Sequence, residues 1–186
     1  MQRIRFLSSN PNKIAEATSI LKATDIAVVP VDMKIEEIQT PDETALVRDK
    51  CLKAAHRIGR PLFVEHTGLY LALLNKFPGG LTQVFWDTLQ ADKVAQLFGV
   101  GDQPVVAKTT IAYCDGRKIH LFTGEIEGTI ASEPRGDRTF QWDCVFIPKG
   151  FDKTFAELGE KKNDISMRRI ALDKFAGFLK SKAQNA

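Results

Sequence analysis

Cysteine, histidine and the largest aromatic side chains are scarce in this sequence. Among 186 residues there are three cysteines, three histidines, two tryptophans and two tyrosines. The cysteines, Cys51, Cys114 and Cys144, are odd in number, far apart and without a Cys-x-x-Cys pair. That pattern excludes a disulfide framework and gives no sign of a zinc or redox centre. A chain of this length buries a sufficient core without disulfides or a bound metal. We therefore expect free, buried thiols and one domain over residues 1–186.

An excess of charge of one sign and a long apolar run are also lacking. The formal net charge of +3 does not require a polyanionic partner, but it suits an anionic small substrate such as a nucleotide. Basic residues gather only around residues 161–169, where Asp164 interrupts them, so we expect no nucleic-acid partner. No stretch reaches the roughly 20 apolar residues of a membrane span. Residues 1–7 lack the features of a secretory signal, and we expect a cytoplasmic protein without membrane contact.

The first part of the sequence contains an alternation of strand and helix patterns. Residues 4–8, 26–31 and 61–64 are short apolar runs typical of buried strands. Residues 12–22 and 44–58 carry apolar side chains at helical spacing, and Gly59 follows the second helix as a stop signal. This order predicts an α/β fold.

Strand patterns dominate the middle of the sequence. Residues 105–113 and 118–122 predict a hairpin around Asp115-Gly116, and residues 125–131 predict a third antiparallel strand. Residues 140–147 predict another strand. A helical stretch covers residues 85–97, and residues 165–180 form a closing helix with one apolar face.

Two ionisable residues, Glu65 and His66, come directly after the apolar run Leu62-Phe63-Val64. In open α/β sheets ligands bind beyond the carboxyl ends of strands, so this pair at a strand end predicts a site that faces a cleft. An imidazole is also able to act as a base near neutral pH. The alternative is a solvated strand terminus.

The segment Ser8-Ser9-Asn10-Pro11-Asn12-Lys13 joins the first predicted strand to the first predicted helix. Backbone N–H groups at such a helix start point towards a ligand, which makes the segment a candidate anion site. It does not have the Gly-x-x-x-x-Gly-Lys spacing of a P-loop. Capping of the helix by Ser9 or Asn10 explains the same residues equally well.

Together with three further segments, residues 8–13 resemble the inosine triphosphate pyrophosphatase family. The resemblance runs in order from about Ile4 to Leu179. The further segments are Lys34-Ile35-Glu36-Glu37-Ile38-Gln39, Val64-Glu65-His66-Thr67-Gly68-Leu69, and the pair Phe140-Gln141-Trp142-Asp143 and Lys162-Asn163-Asp164-Ile165-Ser166-Met167-Arg168.

The resemblance implies an ITPase-like, Maf-like fold: two α/β lobes with a long mixed sheet, flanking helices and a central cleft, commonly assembled as a homodimer. It also implies a hydrolase that converts deaminated purine nucleoside triphosphates such as ITP, dITP and XTP to the monophosphate and pyrophosphate. In this family Mg²⁺ neutralises the phosphates while water attacks the α-phosphorus. We expect Mg²⁺ as the cofactor here, with Mn²⁺ as a possible substitute.

Roles for individual residues follow from the resemblance. Glu37 and Glu65 are expected to bind the metal, since Mg²⁺ prefers hard oxygen ligands, and the expected catalytic residues are Glu65, His66 and Lys13. Arg168 is able to donate to a 6-keto oxygen, which favours hypoxanthine over adenine. The expected substrate-binding residues are Ser8, Asn10, Lys13, Lys50, Thr67, Phe140, Trp142, Asp143, Lys162, Met167 and Arg168.

Simpler structural explanations remain for several of these residues. Glu37 also fits a solvated acid in a loop, beside Glu36. Phe140 and Trp142 also fit a core strand, and Arg168 also fits a solvated helix face.

The sequence departs from the family pattern within the predicted cleft. His66 stands where the family has an aspartate that binds metal or activates water, and an imidazole is a poor magnesium ligand. Met167 replaces a histidine and has no donor for a purine oxygen. Gln141 replaces a glycine, which restricts the backbone at that point. Cys144 replaces a proline and Lys161 replaces an acid.

Three hypotheses follow from these departures. The first is a working nucleoside triphosphate pyrophosphatase with an altered metal site or specificity, in which His66 orients or deprotonates water. The second is a nucleotide-binding homologue with little or no hydrolysis. The third is a related hydrolase or transferase that acts on a different nucleotide, with His66 binding a softer metal.

Overall fold

A mixed six-stranded β-sheet organises the computed structural model, which describes residues 2–184. The strand order is β2-β1-β3-β4-β5-β6; β1 is parallel to both neighbours, and the pairings from β3 to β6 are antiparallel. The strands are β1 Gln2–Leu7, β2 Ile26–Val31, β3 Leu62–Leu71, β4 Val105–Cys114, β5 Ile119–Ile130 and β6 Phe146–Pro148.

Helices cover both faces of the sheet. Gly59 ends the second helix with φ of +63°, in the left-handed conformation that glycine adopts without a steric cost, which confirms the predicted stop. The α-helices are α1 Pro11–Lys22, α2 Glu43–Ile58, α3 Thr82–Phe98, α4 Phe155–Leu158, α5 Lys162–Ile165 and α6 Met167–Gln184, and short 3₁₀ turns span Ala72–Leu74, Gly79–Leu81, Gln141–Cys144 and Gly159–Lys161.

The apolar core has three parts. One lies between the sheet and helices α1 and α6 and contains Phe6, Phe63 and Phe175. The second lies under α2 on the opposite face, and the third gathers α3 and residues 142–146 around the far ends of β3, β4 and β5. Between the near and far parts the buried side chains of β3 and β4 are polar: they are Glu65, His66, Thr109 and Thr110. This polar band marks the cleft.

Strand β3 corrects the prediction for the Glu65-His66 pair. The predicted strand ended at residue 64, whereas β3 continues to Leu71 and pairs with β4 along its whole length. Its pairing with β1 stops at Phe63. Glu65 and His66 therefore lie in the middle of β3 but just beyond the carboxyl end of β1, so the expected position next to a cleft is retained for a different reason.

Three other predictions are also wrong in detail. The predicted strands at residues 118–122 and 125–131 are one strand, β5, that runs through Gly124. Residues 141–144 form a 3₁₀ turn that precedes the short strand β6. The sequence imitates a core strand here because residues 142–146 are all buried. The last helix begins at Met167, and the short helix α5 precedes it.

The three thiols are free. Cys51 and Cys144 are buried as predicted, but Cys114 is half-buried. Burial raises the pKa of the Cys51 thiol to about 12, so it stays protonated. Among residues 2–184, no helix is both long and apolar enough to cross a membrane.

Gly124 allows the backbone of α6 to lie against β5, so a side chain at this position should destabilise the fold. A Cβ at this position would lie 2.1 Å from the Met167 carbonyl oxygen, and backbone cannot easily yield. We expect Gly124→Ala to lower the free energy of unfolding by about 1–3 kcal/mol. Gly177→Ala is the matched control: it lies within α6 with nothing within 4 Å of the new Cβ, and it should gain about 0.5–1 kcal/mol. Urea unfolding measures both, and an unchanged Gly124→Ala would contradict the close packing.

Candidate active site

A cleft of about 580 Å³ opens beyond the carboxyl end of β1. The β1–α1 connection, residues 33–39 and the middle of β3 form its walls. Predicted site residues that line it are Ser8, Asn10, Lys13, Glu37, Lys50, Glu65, His66 and Thr67.

The β1–α1 connection serves partly as a helix cap. The Asn10 side-chain oxygen accepts from the N–H groups of Asn12 (3.0 Å) and Lys13 (3.2 Å), and Ser8 Oγ accepts from Asn10 N–H at 3.2 Å. The capping alternative is therefore confirmed for Asn10. The Lys13 ammonium still reaches the cleft, so the segment presents a cation beside the cap.

Strand β3 directs successive side chains to opposite faces of the sheet. Glu65 and Thr67 both contact Arg168, which projects from α6 on one face. His66 therefore points to the other face, where Glu37 and Lys50 lie around the same cleft. Because β1 has ended at this level, groups from both faces reach one cavity.

Arg168 is only 1% exposed and forms a bidentate pair with Glu65. Its Nε and Nη2 atoms donate to the two carboxylate oxygens at 2.9 Å each, and Lys13 Nζ lies 3.3 Å from Glu65 Oε1. Burial would raise the pKa of Glu65, but the charges of Arg168 and Lys13 outweigh it and lower the pKa to about 2. Glu65 is thus ionised at neutral pH. The prediction of Arg168 on a solvated helix face is wrong.

Glu16 of α1 joins this network and was missed in the sequence. Its carboxylate accepts from Arg168 Nη1 and, at 2.8 Å, from Lys162 Nζ. Lys162 also donates to Asp143 Oδ2 at 2.5 Å. The available signal was spacing: Glu16 follows Lys13 by three residues, which places both side chains on the same face of a helix.

A second, much smaller cavity lies beside the cleft. It measures about 10 Å³, too small for a purine. Half-buried Phe140 covers it, with Lys162 Nζ 4.2 Å from the ring centroid. Trp142 packs on Phe146 and Phe155, so the core explanation for Trp142 is supported. Predicted site residues that line this cavity are Phe140, Trp142, Asp143, Lys162, Met167 and Arg168, together with Lys13 and Thr67, which it shares with the cleft.

The two predicted metal ligands differ in how available they are. Glu37 Oε1 accepts from Lys50 Nζ at 2.7 Å, and its side chain remains 34% exposed to the cleft. Both oxygens of Glu65 are already bonded to Arg168. Glu37 is available as a ligand for a magnesium ion that is held mainly by substrate phosphates and water. Glu65 could bind the ion only after giving up a hydrogen bond to Arg168. Across residues 2–184 no group of three or more acidic, histidine or cysteine side chains is placed to hold an ion.

His66 is buried and uncharged at neutral pH. Burial lowers its pKa to about 4, and the charge of Lys13 adds to this effect. Its Nε2 atom is buried and has no hydrogen-bond partner among the described residues. A buried ring nitrogen without a partner, at the wall of a cleft, is available to a ligand or water.

Comparison with known proteins identifies the family. Residues 4–178 match the family described as the Ham1 family. The chain belongs to the Ham1 family. It is similar to the dITP/XTP pyrophosphatase of Thermococcus kodakarensis, with 39% identity over 182 residues that cover 96% of this chain and 97% of that protein. The inosine triphosphate pyrophosphatase of Yarrowia lipolytica is 38% identical over 186 residues and 97% of each chain.

Solved structures agree with the Ham1 assignment. A Ham1 protein from Coxiella burnetii superposes with a TM-score of 0.82 at 28% identity, covering 97% of this chain and 100% of that one. The predicted ITPase-like fold with a mixed sheet and flanking helices is therefore confirmed. Within this Ham1 fold, three of the five residues expected to depart from the family pattern, His66, Gln141 and Met167, line the two cavities, whereas Cys144 and Lys161 do not.

Proposed function

We propose that this chain is a nucleoside triphosphate pyrophosphatase that hydrolyses deaminated purine nucleoside triphosphates to the monophosphate and pyrophosphate. The observation that carries the proposal is a pair of adjoining cavities of different character. The larger is lined by Lys13 and Lys50 and suits polyphosphate. The smaller is too small for a purine as it stands, but its lining of Phe140, Lys162 and Arg168 offers a ring for stacking and hydrogen-bond donors for a base. The names of the relatives in Thermococcus kodakarensis and Yarrowia lipolytica indicate the same reaction.

The triphosphate occupies the larger cavity in this proposal. Lys13 and Lys50 offer ammonium groups as point charges, and Ser8 and Asn10 lie beside them at the start of α1. Lys13 is able to exchange its 3.3 Å contact with Glu65 for a phosphate oxygen. The attacking water forms a bond to the α-phosphorus, and the bond from that phosphorus to the bridging oxygen breaks, so pyrophosphate leaves.

The base enters the smaller cavity, which must first open. Opening moves the Phe140 ring away from Lys162 Nζ, and the ring then stacks on the purine. Arg168 is held by Glu65 and Glu16, so its guanidinium is fixed in place before the substrate arrives. Either Arg168 or Lys162 donates a hydrogen bond to the 6-keto oxygen of the purine. An adenine amino group offers no acceptor at that position, which gives the preference for deaminated purines.

Glu37 is the residue that would hold Mg²⁺ or Mn²⁺ together with the phosphates. When bound, such an ion neutralises the charge that develops on the phosphate oxygens. Glu65 stays ionised at the wall of the cleft, and neutral His66 offers Nε2 as a hydrogen-bond partner that orients water. With a pKa of about 4, His66 is a weak base, and this observation favours the non-hydrolysing homologue as the second candidate.

Pyrophosphate release from ITP, XTP, GTP and ATP with Mg²⁺ or Mn²⁺ tests the proposal. The wild type should hydrolyse ITP and XTP in preference to ATP, and Glu37→Gln should lower kcat/KM by about 100-fold. Asp32→Asn, at an exposed acidic residue that precedes the cleft-lining residues 33–39, is the matched control and should be silent. His66→Asp and Glu65→Ala complete the set. An inactive wild type whose activity appears only in His66→Asp would refute the enzyme and support the binding protein.

We also propose that the chain is one domain over residues 1–186 and assembles as a homodimer, as the family resemblance implies. Light scattering of the purified protein tests the assembly. A mass of one chain at micromolar concentration would contradict it.

A further inference from the structure

Gln141 has a strained backbone at the junction of the two cavities. Its φ is +45°, in the left-handed region that a side chain with a Cβ disfavours. A conformation of this kind persists only where the surrounding structure imposes it, and such residues cluster at functional sites. The strain is therefore a reason to ask what the Gln141 side chain does.

The Gln141 side chain is held by a chain of hydrogen bonds. Its Nε2 donates to Gln83 Oε1, and Gln83 Nε2 donates to Asp87 Oδ1 at 2.8 Å. The Asp87 carboxylate only accepts, so it fixes the orientation of the Gln83 amide, which in turn fixes that of Gln141. With Nε2 engaged by Gln83, Oε1 is the acceptor that the Gln141 amide can offer to a ligand hydroxyl.

Gln141 lies where the sugar of a nucleotide that fills both cavities would lie. Lys13, Thr67 and Gln141 line both the large cleft and the small cavity. In a nucleoside triphosphate the sugar links the base to the phosphates, so a substrate that fills both cavities places its sugar against this shared wall. The Lys13 ammonium already contacts Glu65, and the Thr67 hydroxyl contacts Thr109 and Arg168.

We propose that Gln141 is a specificity residue whose Oε1 accepts a hydrogen bond from a sugar hydroxyl, and that Gln83 positions it. This inference rests on the proposed placement of base and triphosphate. The chain then prefers nucleotides that carry the contacted hydroxyl over analogues that lack it, because such analogues leave the acceptor without a partner.

The experiment measures kcat/KM for ITP, 2′-deoxy-ITP and 3′-deoxy-ITP, and calorimetric affinity for the corresponding monophosphates. Gln141→Gly should weaken the reaction and binding of the ribonucleotide by about tenfold. The analogue that lacks the contacted hydroxyl should change by less than about twofold. Gln83→Ala should give a smaller loss with the same dependence on the sugar hydroxyl, since Gln141 Oε1 remains but its amide is no longer held by Gln83.

Gln90→Gly is the matched control. Gln90 also has a positive φ, +58°, but it lies in the middle of α3 and does not line the cleft. Both glycine variants should melt at or above the wild-type temperature, because glycine relieves the strain, and Gln90→Gly should leave the sugar preference unchanged.

The outcomes separate this inference from the proposed function. Sugar-selective binding that Gln141→Gly abolishes, in a protein that releases no pyrophosphate, would support Gln141 and refute the enzyme. Turnover that falls equally for ITP and both deoxy analogues would overturn the sugar contact and leave the enzyme standing. Failure of the wild type to bind any of these nucleotides would overturn both.

Discussion

Replacing Arg168 by methionine is expected to lower the free energy of unfolding by about 3–5 kcal/mol. The guanidinium is almost fully buried, and it compensates two carboxylates, those of Glu65 and Glu16. Methionine fills much of the volume but leaves Glu65 with only the Lys13 ammonium, 3.3 Å away. An ionised carboxylate buried without sufficient compensation is among the most costly defects in a folded protein.

Denaturant unfolding at pH 7 measures this loss, with Arg169→Met as the matched control. Arg169 neighbours Arg168 on α6 and pairs with Asp173 on a partly exposed surface, so its loss should stay below about 1 kcal/mol. In a Glu65→Gln background the cost of Arg168→Met should shrink, because the unpaired charge is gone. Equal costs for the two arginines would show that the buried network contributes no more than a surface pair.

The stability of the protein free of nucleotide and metal should fall as the pH drops from about 6.5 to 4, with His66 responsible for part of the fall. The folded His66 has a pKa of about 4, against an ordinary value of 6.5. In this window the unfolded chain binds a proton that the folded chain does not, so stability decreases with decreasing pH. The lowered pKa corresponds to about 3 kcal/mol, and the contribution is complete below pH 4.

Unfolding curves for wild type and His66→Asn across pH 4–8 isolate this contribution from the carboxylates. The difference in unfolding free energy between the two proteins should change by up to about 3 kcal/mol across the window. His56→Asn, at an exposed position near the end of α2, is the matched control for the loss of a histidine side chain. Parallel curves for wild type and His66→Asn would mean that His66 titrates alike in the folded and unfolded chains.

Local patterns in the sequence predicted the first half of the fold well. Strand and helix periods over residues 4–64 depend on nearest neighbours, and Gly59 carries its own conformational signal. The errors arose where tertiary contacts decide. The predicted strands ended at residue 122 and resumed at residue 125, whereas β5 runs through Gly124, where glycine admits the backbone of α6.

The sequence predicted which residues lie around the two cavities, but not how buried they are or which contacts they make. The family motifs indicated which residues line the two cavities, and the structure places all of them there. That Arg168 is buried and that Phe140 covers Lys162 depends on packing between distant segments. Glu16 was missed because its two partners lie at the other end of the chain.

The ion-pair network has a consequence for how the protein is made. Glu16 precedes Lys162 by 146 residues and Arg168 by 152. A nascent chain on the ribosome therefore exposes β1 and α1 long before their compensating cations have been synthesised. Helix α6 also covers the apolar face that contains Phe6 and Phe63. Since contacts so distant in sequence close late, both the core and the cleft should mature only when the last helix has left the exit tunnel.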